Sequence, residues 1–249
     1  MKGQILHASP IEHSTLKGAH SMARKPRQWF PGAIYHIVCR GNHRKNLFFD
    51  RKDYFKYFSL LNHAYHYSPY HLHAYCLMTN HLHLLLGTQA DPPCKVMQPL
   101  NSMYAMYINK KYNLSGHLFQ DRYYSTPVAS SHSLMKTSAY IHNNPRAAGM
   151  VDNPEDYPWS SYYHYTQPVR NTNNSNLIVT GPYNERIREK RASLTMIHEK
   201  APSLLPPSPL PLATEKLTAL FPVPSHIHYR TYVEREWKLS SMLKEAFQK

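Results

Sequence analysis

The spacing of apolar positions changes several times along this chain, and each change predicts an element. After Pro31-Gly32, residues Ala33 to Arg40 are rich in β-forming side chains and predict a first strand. Asp50 stands where it can cap a helix whose Tyr54, Tyr57, Phe58, Leu61 and Tyr65 fall on one stripe. A second strand, His71 to Leu77, turns at Thr79-Asn80 into a strongly apolar third, so the two predict a hairpin. Along that third strand Leu82, Leu84 and Leu86 point one way while His81 and His83 point the other. Beyond Pro92-Pro93, residues Val96, Leu100, Met103, Tyr104, Tyr107 and Ile108 recur at helical spacing. Pro99 should kink this helix or delay its start, and Gly116 lies past its C-terminal end. Leu118 to Val128 reads as another strand, with Pro127 favouring an edge or its end. Ser131 or Ser133 would cap a third helix containing Leu134, Met135, Ser138 and Ile141. That helix is expected to stop near Asn143-Asn144, because Pro145 disfavours helical geometry in the residue before it.

The two ends have a different character. Residues 1–21 carry no periodicity and few large apolar side chains, so a disordered extension is expected, of the kind an upstream start would leave, with Met22 opening the ordered sequence. After Tyr165 comes a polar linker at 171–176, a charged stretch at 184–199 that could be helical, and a stiff proline-rich spacer between Pro202 and Pro211. Residues 215–247 read as largely helical, anchored by Leu217, Leu220, Tyr229, Tyr232, Val233, Trp237 and Leu243. The chain thus divides into an extension at 1–21, a catalytic-domain candidate at 22–165, and a linker, spacer and helical tail at 166–249.

Charge adds a partner class. The 249 residues carry 29 Lys and Arg against 15 Asp and Glu, a formal net charge of +14, which points to a polyanion and to nucleic acid first. Residues 22–165 hold 15 of those cations against 7 of the acids. Twenty tyrosines interleaved with basic residues suit stacking on unpaired bases, whereas charge alone would equally describe a solvated basic face. Cys39, Cys76 and Cys94 are scattered, which supports neither a disulfide framework nor a zinc finger. Cys39 and Cys76 lie in strand-like runs and read as core residues. No apolar run approaches the roughly 18 residues of a membrane span, and the first 21 residues lack an apolar signal region. A reducing cytoplasm, with DNA as the companion, is the expected compartment.

Two residues apart on a strand is roughly 6.5 Å, so His81 and His83 could lean together and grip one metal ion. Taken alone, they read more simply as two half-exposed histidines on an amphipathic strand. The third helix adds Tyr140 and Asn144, whose i,i+4 spacing puts them on one face. A tyrosine hydroxyl can be a covalent nucleophile. An Asn carbonyl oxygen beside two imidazoles suits Mg2+ or Mn2+ better than a thiolate-seeking metal. Singly, Tyr140 could be a core aromatic and Asn144 a helix C-cap.

The stretch Met78-Thr79-Asn80-His81-Leu82-His83-Leu84-Leu85 resembles the signature of the HUH (His-hydrophobic-His) single-tyrosine transposases, and specifically the REP-associated tyrosine transposase branch. Four further stretches agree in order and spacing. They are Phe30-Pro31-Gly32-Ala33-Ile34-Tyr35-His36 with Arg40-Gly41-Asn42; Gly116-His117-Leu118-Phe119-Gln120-Asp121-Arg122-Tyr123; Tyr140-Ile141-His142-Asn143-Asn144-Pro145; and Tyr157-Pro158-Trp159-Ser160-Ser161-Tyr162. The resemblance covers residues 22–165. It implies an α+β, ferredoxin-like (RRM-like) fold in which an antiparallel sheet carries the histidines and a helix carries the tyrosine. It also implies breakage of single-stranded DNA at or near palindromic, REP-like hairpins through a 5′-phosphotyrosine. Carried over by position, Tyr140 is the nucleophile, and His81, His83 and Asn144 are ligands of Mg2+ or Mn2+. Arg40, Arg44, Lys45, Arg122, Tyr123 and Arg146 are the candidate DNA contacts.

There are departures from that pattern. The family usually follows Asn-Pro with an apolar residue and then Arg, whereas here Arg146 comes directly after Pro145, which shifts its contact. The second His-x-His, His71-Leu72-His73, lacks the preceding Asn and reads as ordinary strand. The tail matches only through Tyr229-Arg230-Thr231-Tyr232-Val233-Glu234, which could recognise a hairpin or simply pack. Two other classes stay open at this point: a non-catalytic, domesticated binder of single-stranded hairpins, and a zinc hydrolase, although the motif lacks the latter's usual third His or carboxylate. Monomer and homodimer are both compatible with the sequence.

Overall fold

The computed structural model describes residues 29–167 and 212–246. The expectations for 1–21, 171–176, 184–199 and the proline spacer lie outside the described residues. From Ile34 to Val128 the chain runs β1 (Ile34–Arg40), α1 (Arg51–Tyr67), β2 (Tyr70–Leu77), β3 (His81–Thr88), α2 (Pro93–Tyr112) and β4 (Tyr124–Val128). The sheet order is β2-β3-β1-β4 and every pairing is antiparallel. This β-α-β-β-α-β path is the ferredoxin-like topology, as expected.

Strand alternation sends side chains into two cores. Tyr35, Ile37 and Cys39 of β1 and Leu82, Leu84 and Leu86 of β3 meet α1 and α2 on one face of the sheet. A bulge between Leu72 and Ala74 rephases β2, so that Leu72 and Tyr75 share that face while Ala74 and Cys76 turn to the other. The α1–α2 layer is tied by Asp53, which is fully buried and capped into place by Asp50. Burial alone would raise its carboxyl pKa. Lys111 at 2.7 Å, the Phe49 N–H, Tyr112 at 2.8 Å and the Asp50 N–H outweigh that and hold it below the usual carboxylate range.

The second face is covered by α3 (Ser131–Ala147), α4 (Tyr162–Thr166), α5 (Glu215–Thr218) and α6 (Ser225–Ala246). Leu134, Ala139 and Ile141 of α3 pack with Tyr162, Tyr165, Leu217, Tyr229, Tyr232 and Val233. The tail segment Tyr229–Glu234 therefore packs. Leu243, expected as an anchor, is 60% exposed. The β2 edge is closed by the isolated bridges Cys76–Ser160 and Leu72–Leu212, and the opposite edge strand carries Pro127.

Several boundaries differ from the sequence reading. Pro99 lies inside α2 without delaying it, since its ring is on the solvent face and Pro93 occupies the first turn. Asn113, in the left-handed conformation, ends that helix, and Gly116 lies beyond it as expected. Only Tyr124–Val128 is strand, and Phe119 makes just an isolated bridge to Gly41. Ser130 caps α3, accepting from the Ser133 N–H at 3.1 Å. The helix then continues through Pro145 to Ala147, because its buried face is gripped by α6. Asn143 Nδ2 donates to the Val233 carbonyl at 3.0 Å, and Arg146 pairs with Glu234 at 2.9 Å.

Candidate active site

The two central strands bring three imidazoles together on the α3 side of the sheet. The β1–β3 register sets Val38 opposite His83 and Arg40 opposite His81, which leaves His36 diagonal to His83 on the same face. His36 Nε2 and His83 Nδ1 are 2.9 Å apart, with the rings stacked at 5.1 Å and 23°. The His81 ring stands perpendicular to His83 at 5.1 Å.

The nitrogens facing away from these contacts follow from the partners. Asn80 Nδ2 donates to the Arg44 carbonyl at 3.2 Å, which turns Asn80 Oδ1 toward His81 Nδ1 at 2.8 Å. An amide oxygen only accepts, so in the neutral ring Nδ1 of His81 carries the proton and Nε2 keeps its lone pair. His83 Nε2 is buried and has no hydrogen-bond partner. Burial holds His83 neutral far below its ordinary range, reinforced by His36, His81 and Arg40. His81 is also lowered by burial and then by Arg40, with a hydrogen bond to the Asn144 side chain working the other way. Burial takes His36 down to about 4.

Above the histidines, α3 presents Tyr140 and Asn144. The Tyr140 ring lies edge-on to His83 at 5.6 Å and to His36 at 5.9 Å, and is 56% exposed. Asn144 reaches His81 with its side chain and donates from Nδ2 to the Tyr140 carbonyl at 2.9 Å. The four residues singled out by spacing are thus neighbours, although they come from two elements far apart in sequence.

Residues 30–144 match the family model described as Transposase IS200 like. Over that span, a little under half of the chain, the sequence is similar to the IS200-like transposases. Among solved structures the chain is similar to a REP-associated tyrosine transposase bound to a REP hairpin, at 16% identity over 64% of this chain and 100% of that one, with a TM-score of 0.49. It is also similar to a protein of Deinococcus radiodurans R1 assigned as a transposase, at 22% identity over 49% of this chain and 97% of that one, with a TM-score of 0.34. No curated protein matches it.

The donor set fits a divalent cation of the kind the family implies. Among the described residues no three His, Cys, Asp or Glu side chains are arranged to hold a metal, and the Asn144 side chain is the other polar group that reaches His81 from α3. The unpartnered Nε2 of His83 is the observation that favours the fit, since a buried lone pair left idle costs roughly 1–3 kcal/mol. Two neutral imidazoles with an amide oxygen would accept a divalent cation.

The candidate DNA contacts separate into two groups. Arg40, Arg44, Lys45 and Arg122 are all exposed. Arg40 lies opposite His81 in the β1–β3 register, and Asn42, His43, Arg44 and Gln120 line a hollow beside it. His43 and Arg44 both have positive φ, and a Cβ on Gly41 would meet the Lys45 carbonyl oxygen at 2.0 Å, so this tight basic loop requires glycine. By contrast, Tyr123 is buried in the α1–α2 core. Arg146 is committed to Glu234 and to the Trp237 ring at 4.7 Å. No role for His36 or Asn80 is legible in the sequence, although both belong to the matching motifs. His36 needed the β1–β3 register, and Asn80 needed the Arg44 carbonyl that orients it.

Proposed function

We propose that this chain is a transposase that cuts and rejoins single-stranded DNA at or near hairpins, using Tyr140 as nucleophile and His81, His83 and Asn144 as holders of a divalent cation. The convergence of Tyr140 with His83, and of Asn144 with His81, carries the reading. The Tyr140 oxygen attacks a backbone phosphorus, forming a tyrosyl–phosphate ester to the 5′ side while the bond to the 3′ oxygen breaks. The phenolic proton passes to water, which an exposed ring can reach, and the 3′ oxygen leaves as a hydroxyl after taking a proton from solvent. Attack by that hydroxyl, or another, reverses the step and rejoins the strand without a nucleotide cofactor. Mg2+ or Mn2+, when bound, supplies charge neutralisation on the non-bridging oxygens.

Arg40, Arg44 and Lys45 would hold the flanking phosphates. An unpaired strand suits a nucleophile fixed on a helix over a sheet, because a stacked duplex would resist bringing its phosphate down to Tyr140. The hairpin preference is supported by the motif resemblance of residues 22–165. The test is a denaturing gel of labelled stem-loop DNA incubated with protein and Mg2+ or Mn2+. A covalent adduct is expected with the wild type and none with Tyr140→Phe. Persistence of the adduct in Tyr140→Phe, or wild-type hairpin binding without any cleavage, would overturn the reading, the second result marking a non-catalytic hairpin binder.

A further inference from the structure

Both candidate ligands on β3 have Nδ1 engaged by a neighbour, but by neighbours of different kinds. For His81 the partner is an acceptor-only amide oxygen that is itself oriented by the Arg44 carbonyl. For His83 the partner is another imidazole, His36 Nε2 at 2.9 Å, contributed by the adjacent central strand. Because His83 Nε2 has no partner at all, the proton that bridges the two rings decides whether that buried nitrogen holds a lone pair or a hydrogen.

We infer that His36 is a positioning residue: it accepts the Nδ1–H of His83, fixing the tautomer and ring plane that leave His83 Nε2 as a metal-ligating lone pair. The inference rests on the proposed metal role of His83. The alternative arrangement, with His36 Nε2–H donating to His83 Nδ1, would put the hydrogen of His83 on Nε2. That would leave a buried donor without an acceptor. The accepting arrangement leaves no such donor and gives both β3 histidines an Nδ1–H held by a neighbour. The stacked geometry adds a constraint that a single hydrogen bond lacks, since a ring lying 5.1 Å away at 23° also limits rotation of His83 about its own axis. Such outer partners of metal-bound histidines typically change metal affinity by about 10–100-fold.

The experiment uses the full chain and two readouts that do not depend on DNA. Long-range proton–nitrogen NMR on protein labelled with 15N-histidine reads the His83 tautomer directly in the metal-free state. Mn2+ titration followed by electron paramagnetic resonance of the free ion reads affinity. The wild type is expected to carry His83 as the Nδ1–H tautomer. His36→Leu, which removes the acceptor, is expected to weaken Mn2+ binding by about 10–100-fold, and His36→Gln, which retains an acceptor oxygen, to recover most of it. A wild-type His83 protonated on Nε2 would overturn the inference, as would unchanged Mn2+ affinity in His36→Leu. Since the tautomer is read on the wild type, poor folding of a variant leaves the test intact. His83→Ala separates the two levels: lost Mn2+ binding there with none lost in His36→Leu refutes only the role of His36. Normal binding in His83→Ala refutes the metal assignment itself and this inference with it.

Discussion

Asn144 stands one helical turn after Tyr140, and its Nδ2 donates to the Tyr140 carbonyl oxygen at 2.9 Å. The donor arm of the amide is thereby folded back onto its own helix, while the side chain still reaches His81 on the strand below. An Asn in the last turns of a helix commonly serves only as a cap. Here the same residue both ties into the helix beside the nucleophile and reaches the histidine strand.

This arrangement makes Asn144 separable from the fold. Asn144→Leu keeps the volume and removes the oxygen. It should lower strand cleavage and Mn2+ affinity at least about tenfold while shifting stability by less than about 1 kcal/mol. Paired cleavage kinetics and thermal melting check this. Full activity in Asn144→Leu would remove the amide from the ligand set.

On the other side of the same helix, His142 is a structural hinge pin. It is fully buried, with Nδ1 at 2.6 Å from Tyr229 Oη and Nε2 at 2.7 Å from Ser161 Oγ. Ser161 Oγ in turn accepts from the Tyr75 N–H at 2.9 Å, so α3, α6, α4's approach and β2 meet at one ring. His142→Ala leaves a cavity and takes one partner from each of two buried hydroxyls, at a cost of roughly 3–5 kcal/mol. Urea denaturation is the measurement, with a small loss counting against it.

The same residue gives a pH dependence. Burial pulls the His142 pKa from 6.5 down to about 3 in the folded protein. The folded value is the depressed one, so its stabilising contribution is complete above about pH 6.5 and is lost as pH falls toward about 3. Between pH 6.5 and pH 5 this one histidine should remove about 2 kcal/mol of stability. Urea midpoints across that range should fall with acid in the wild type, and the slope should flatten by about one proton in His142→Phe.

A cut after Gln167 removes α5 and α6 and uncovers Leu134, Ile141, Tyr162 and Tyr165. The shortened chain is expected to bind a hydrophobic dye and to lose cooperative unfolding, even though it retains every residue proposed for chemistry. A sharp melt at the wild-type temperature would show that the first core alone carries the fold.

Much of this was legible because strand alternation is local. The opposition of His81 and His83 to Leu82, Leu84 and Leu86 follows from period two, and the α1 stripe follows from period 3.6. Tyr140 and Asn144 could be paired because both lie on one helix. What failed was decided by partners distant in sequence. Pro145 reads as a stop, yet α6 holds the helix past it. Arg146 reads as a free cation, yet Glu234 and Trp237 claim it. Tyr123 sits in a basic, aromatic stretch like a surface residue, yet the chain turns there into the core before β4 begins. His36 depends on a register between strands separated by a helix and a hairpin strand.

The strand order has a consequence in time. The imidazoles lie on β1 and β3, the two inner strands, whose amides are paired on both sides and open only when the sheet does. Tyr140, more than half exposed, projects from a helix resting over them. Deuterium should therefore enter the backbone around His83 and Val38 among the slowest in the chain, while the phenol above them reorients within nanoseconds. The half of the site proposed to hold charge keeps the slow clock of the core, and the half proposed to form the bond keeps the fast clock of the surface.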